Sequence, residues 1–191
     1  MFQTAIRNLT AGMTCLAVGS VPALAQAPVT YSVVIPAGEY GSAAFLGELL
    51  ATLAAAKAFC QSTGDSALQV DCLSERLETA AGGIPEGTDY DEVREVLKDT
   101  SQRLKRLARQ NSDPARGRVS VTSSANPAER TSRPLIPVNS AAQAAVNLEA
   151  TRILDEAATI LLRSAEAAQE RQTQYAQIAA AIGSNKVLLR S

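Results

Sequence analysis

Two cysteines set either side of a turn limit the fold more than any other feature: "FCQSTGDSALQVDC", residues 59–72. Cys60 closes one helical run, Gly64 breaks the chain, and Cys72 lies in the second turn of the next run. A connection this short makes the two helices antiparallel neighbours and brings both thiols to one end of a helical hairpin. Zinc ordinarily takes four ligands, mostly Cys and His, and the chain has no histidine and only one other cysteine, Cys15. Redox pairs are spaced C-x-x-C, far tighter than 60 and 72. The reading is a structural disulfide between Cys60 and Cys72, worth about 3 kcal/mol for a loop of this size in the chain-entropy model. Free buried thiols or a reactive pair are the alternatives.

A disulfide needs an oxidising compartment, and the N-terminus predicts one. Arg7 precedes the apolar run "LTAGMTCLAVGSVPALA", which ends in Ala23-Leu24-Ala25. Such an order reads as a signal peptide, residues 1–25, cut after Ala25. The alternative is an uncleaved anchor, disfavoured by Gly12, Gly19 and Pro22 within a short run. Cys15 falls inside the signal and lacks lipoprotein-box surroundings. No later segment reads as long and apolar enough to cross a bilayer. The expected location is therefore exported, most simply periplasmic.

The mature chain begins with an extended N-terminal arm, residues 26–41, where Val29, Tyr31, Val33 and Ile35 alternate like a strand between Pro28 and Pro36. A three-helix region, residues 42–110, follows. Its first helix has the stripe Leu46, Leu49, Leu50, Leu53 and Ala56. The second opens on an S-x-x-Q capping box, Ser66 to Gln69, and stops at Gly82-Gly83. The third runs over residues 89–110 with Thr88 or Asp89 as cap. Tyr90, Val93, Leu97, Thr100, Leu104 and Leu107 give it a coiled-coil-like seam. Acidic residues crowd its start and Arg103, Lys105, Arg106 and Arg109 its end, as the helix dipole favours. The basic cluster reads as a solvated face in preference to an anion site.

Residues 111–138 hold four prolines among Ser, Asn and Arg and read as a linker, mobile or laid across the surface. "RPLIPV" could dock through Leu135, Ile136 and Val138. A long helix, residues 139–183, then reads as unbroken to Ile182, at 1.5 Å per residue about 60 Å. A tail, residues 184–191, carries Val187, Leu188 and Leu189. The expected fold class is all-α: a small helical bundle, made of a helical hairpin plus a third helix, with one long C-terminal helix.

The chemistry is narrowed by what the chain lacks. Without histidine it loses the commonest general base and metal ligand. Lys57, Lys98, Lys105 and Lys186 look solvated, and the pairs Glu75–Glu78 and Glu92–Glu95 read as helix surface. Without tryptophan there is little sugar-stacking surface. "TDYDE" lacks the glycine and distal glutamate of a calcium loop. A net charge of −1 gives no basic signature for nucleic acid. No catalytic residue and no cofactor is expected.

The expectation is an exported, non-enzymatic helical protein acting through protein–protein contacts: an envelope scaffold, adaptor or assembly factor. The partner would be another protein or a second copy. Tyr175, Ile178, Ile182, Val187, Leu188 and Leu189 are the interaction candidates: a long helix would leave the first three uncovered, and the apolar tail either docks back on the chain's own core, the favoured reading, or is presented to a partner. The alternative is a membrane-surface or lipid-binding protein that uses an amphipathic helix or the apolar tail. An enzyme with an unrecognised site ranks third.

Overall fold

Ala43 starts the first of five helices in the computed structural model, which describes residues 43–123, 126–166 and 171–190. The signal segment 1–25 with Cys15, and the arm 26–41, lie outside the described residues. The helices are α1 (Ala43–Ser62), α2 (Gln69–Gly82), α3 (Asp91–Gln110), α4 (Gln143–Glu166) and α5 (Gln172–Ser184). Short 3-10 stretches, Ser66–Leu68 and Asn185–Arg190, precede α2 and follow α5. The fold is all-α, with only isolated bridges and no strand among the described residues.

Local chemistry sets the helix ends. Asp65, not Ser66, caps the entry to α2: its carboxylate accepts the Ala67 N–H at 3.0 Å. Gly64 sits at φ 66° in the turn before it, a left-handed conformation that favours glycine. Before α3, the Thr88 hydroxyl accepts the Tyr90 N–H at 3.3 Å, and the helix itself begins at Asp91. At the end of α5, the Asn185 amide donates to the Ala181 and Ile182 carbonyls. That satisfies two acceptors a helix terminus otherwise leaves bare.

The α3 seam is used within the chain. Val93, Leu97 and Leu104 are fully buried, and Thr100 nearly so. On one side α3 meets α2, where the Ser74 and Ser101 hydroxyls each donate to the other's carbonyl at 3.0 and 2.8 Å. On the other side α4 runs antiparallel to α3: Ser164 donates to Glu92, and Arg103 pairs with Glu156 at 2.7 Å.

The single long helix over 139–183 is not formed. Helix α4 ends at Glu166, and α5, starting at Gln172, returns along it, so that Lys186 donates to Asp155. An uninterrupted helix would have carried Tyr175, Ile178 and Ile182 past the end of the bundle into water. Turning back buries all three. Each large apolar side chain so buried contributes roughly 1.5–3 kcal/mol, which outweighs the few helical hydrogen bonds lost at the break. The tail follows the same logic, with Leu188 and Leu189 in the core.

The segment 111–138 is an irregular hairpin rather than a free linker. Val119 and Leu135 exchange backbone hydrogen bonds at 3.0 and 2.8 Å, and Thr131 N–H donates to Val121 O at 2.9 Å. Leu135, Ile136 and Val138 are buried, and the Val138 N–H reaches Ala67 O at 2.9 Å.

Candidate interaction surface

Helix α1 differs from its neighbours in what it shows to solvent. Its inner face is Leu49, Leu53, Ala56, Phe59 and Cys60. Its exposed outer face carries Ala44, Gly47, Ala51, Ala55 and Ala58, spaced three or four apart, with Glu48 and Thr52 among them. Glu48 is the one charge on that stripe. The outer face of α3, by contrast, is Glu92, Glu95, Lys98, Asp99, Gln102, Arg106 and Arg109, an ordinary solvated surface. A Cβ placed on Gly47 would meet nothing within 4 Å, so this side of α1 is open. Alanine and glycine add little bulk, and a second backbone can approach closely over such a face.

The helix is pinned at both ends. Near its start, the Phe45 and Tyr90 rings lie 5.0 Å apart. Near its end, Cys60 and Cys72 form a disulfide with Cα atoms 5.7 Å apart, and the Arg76 guanidinium stacks 4.2 Å over the Phe59 ring. The stripe is thus presented on a fixed rod. Helix α1 is also long and apolar enough, by length and composition, to cross a membrane, with mean hydropathy 1.5 and a third of that stretch buried in the chain. That corrects the expectation of no such segment after the signal. Alanine raises hydropathy without adding bulk, so the run looked like an ordinary thin core helix.

Sequence reasoning missed a buried ionic clamp. Asp71 and Glu75, one turn apart on α2, are fully buried. Asp71 accepts two bonds from the Arg133 guanidinium, 2.6 and 2.9 Å, and one from the Ile136 N–H, 2.8 Å. Glu75 accepts from Arg76 at 2.6 and 3.1 Å and from the Ser132 N–H at 2.8 Å. Arg76 in turn donates to Arg130 O at 2.8 Å. Glu75 is therefore not on the surface: with its lone pairs matched by charged and backbone donors, a buried carboxylate is tolerated. The available signal was the i, i+4 carboxylate pair on a helix that faces an arginine-bearing segment. The clamp fastens the hairpin to α2. Both buried carboxylates are occupied by donors of the chain itself, which makes it structural.

Five of the six interaction candidates are covered by the chain itself. Tyr175, Ile178, Ile182, Leu188 and Leu189 are buried, and Val187 alone, 51% exposed, faces solvent. They form the seam that joins α5 and the tail to the rest of the bundle. The Tyr175 hydroxyl donates to Asp89 O at 2.9 Å and the Tyr90 hydroxyl to Gln174 Oε1 at 3.1 Å. Burial raises the pKa of both phenols above the ordinary tyrosine value. Asp65 is shifted the other way: the Arg116 guanidinium bonded to it holds its carboxyl below the usual range. Among the described residues no group of three or more His, Cys, Asp or Glu side chains is placed to hold a metal ion.

Comparison of the chain with family models, with curated proteins and with solved structures gives no match.

Proposed function

We propose that this is an exported, non-enzymatic helical protein that works by protein–protein contact, and that the outer face of α1 makes the contact. The supporting observation is the contrast between that face and the rest of the surface: a rigidly held helix shows a solvent-facing stripe of Ala44, Gly47, Ala51, Ala55 and Ala58 with one charge. Close helix packing in the manner of a groove-bound or paired helix is the mode it suits. Five of the six candidates on α5 and the tail are spent on the chain's own core and only Val187 is exposed, which moves the expected contact to α1.

The test is a pair of substitutions, Ala51→Arg with Ala55→Arg, in the mature oxidised protein. Both sites are exposed, so stability should change by no more than about 0.5 kcal/mol. Sedimentation of the purified protein and cross-linking in envelope preparations should show wild-type complexes that the variant loses. Identical complexes in the variant would reject α1 as the contact.

A second reading has one specific observation in its favour. The length and hydropathy of α1 also suit a lipid surface. Flotation with neutral phosphatidylcholine vesicles separates the two, because an apolar face needs no anionic headgroup to enter a bilayer.

A further inference from the structure

The basic cluster at the end of α3 does not act as one unit. Arg103 is paired with Glu156 at 2.7 Å, and Lys105 reaches Glu78 at 3.5 Å. Arg106 and Arg109 have no ion-pair partner among the described residues. Arg109 instead lines a concave cleft of about 200 Å³ with two arginines of the hairpin, Arg116 and Arg118. Ser112, Asp113, Pro114, Ile136 and Pro137 complete its walls.

We propose that this cleft is a binding site for a phosphoryl group. Three arginines line one concavity, and a guanidinium, a rigid fork of N–H donors, matches the oxygens of a phosphate. Two carboxylates stand against them. Asp113 accepts the Ala115 N–H at 2.9 Å, and Asp65 is bonded to Arg116. Asp65 also fixes Arg116 to the turn between α1 and α2. Arg109 and Arg118 have no carboxylate within ion-pair distance among the described residues, so their charge is left for a ligand. Docking of the hairpin, through Asp113 N–H to Pro137 O at 2.9 Å and Asn139 N–H to Asn111 O at 2.9 Å, brings Arg116 and Arg118 beside Arg109. The three arginines fall within ten residues of sequence, and Ile136 and Pro137, from the returning arm of the hairpin, supply the opposite wall. The phosphoryl group could belong to a free anion or to a lipid headgroup, and the chemistry of capture is the same.

The experiment uses the full mature protein with its disulfide intact. Inorganic phosphate is titrated while the arginine side-chain N–H resonances are followed. Vesicles of phosphatidylglycerol are compared with vesicles of phosphatidylcholine by flotation. Arg106→Ala serves as the control, because Arg106 is exposed and unpaired on the same helix but lies outside the cleft. Arg109→Ala and Arg118→Ala should each weaken phosphate binding, or phosphatidylglycerol binding above the phosphatidylcholine baseline, by tenfold or more, with Arg106→Ala unchanged. Loss confined to the phosphate arm identifies a free ligand. Loss in the vesicle arm identifies a headgroup. Equal weakening by Arg106→Ala, or no arginine-dependent binding of either probe, overturns the proposal.

Discussion

Asp71→Ala removes the centre of the clamp that holds the hairpin on α2. The carboxylate is fully buried, and Arg133 keeps 21% of its side chain exposed. Truncation leaves a guanidinium whose Nε is already buried without a partner and whose nearest remaining carboxylate is Glu78, 4.0 Å away. Breaking a buried ion pair from one side costs about 3–5 kcal/mol. Partial exposure lets Arg133 recover some hydration, which places this case near the lower end, about 3. The buried Ile136 N–H also loses its acceptor, a further 1–3 kcal/mol or so. The sum, about 4–6 kcal/mol, is a large part of the 5–15 kcal/mol typical of a whole domain. With a urea slope of about 2 kcal/mol/M, the unfolding midpoint should fall by roughly 2–3 M. Arg133→Ala, and the double variant, then give the coupling between the two side chains. Amide exchange at Val119 and Leu135 should accelerate before that of α4. A midpoint shift below about 0.5 M, or a coupling below about 1 kcal/mol, would show that the Asp71–Arg133 pair does not hold the hairpin and leaves that to Leu135, Ile136, Val138 and the Glu75 and Arg76 contacts.

Reducing the disulfide, or Cys72→Ser, should cost about 3 kcal/mol for a closed loop of this length, read as a lower urea midpoint; full thiol labelling of protein taken from its native compartment would contradict the pairing. Ile178→Asp places a carboxylate at a fully buried site and should unfold the protein rather than only block a contact. A soluble variant with native circular dichroism would refute that. Burial raises the Tyr90 and Tyr175 pKa values in the folded state, so their contribution to stability is complete below the unfolded value near 10 and is lost as pH rises through the folded values. Absorbance at 295 nm should show these two phenols ionising later than free tyrosine, together with alkaline unfolding, and simultaneous titration of all four tyrosines at pH 10 would argue against it.

The all-α class and the Cys60–Cys72 bridge were legible because their signals are local. A 3.6-residue period, a glycine break and a short turn act within a few residues of one another. The break between α4 and α5 was not, because "SAEAAQERQTQ" consists mostly of good helix formers and contains no proline or glycine to announce a stop. What ends α4 is the length of the bundle, a tertiary quantity, acting through the gain from burying Tyr175, Ile178 and Ile182. The hairpin was hidden for a related reason. Proline and serine suggest mobility on average, yet Arg133 and the Ser132 amide find carboxylates about sixty residues away, on α2. Asp71 and Glu75 could be read as solvated helix charges until the segment that covers them was in place. The α1 face was visible as alanine but not as a surface, since alanine is equally at home inside and out.

The hairpin leaves and returns at one spot, for Asn139 N–H bonds to Asn111 O at 2.9 Å. Two packed helices such as α3 and α4 can be joined by about two to eight residues. As plumbing, most of the excursion is therefore surplus. In engineering terms its two feet form a natural splice point, where one insert could be exchanged for another without moving either helix. Asp71, Glu75 and Arg76 would then be the socket left behind, able to seat any loop that offers an arginine and a pair of backbone amides in the same places.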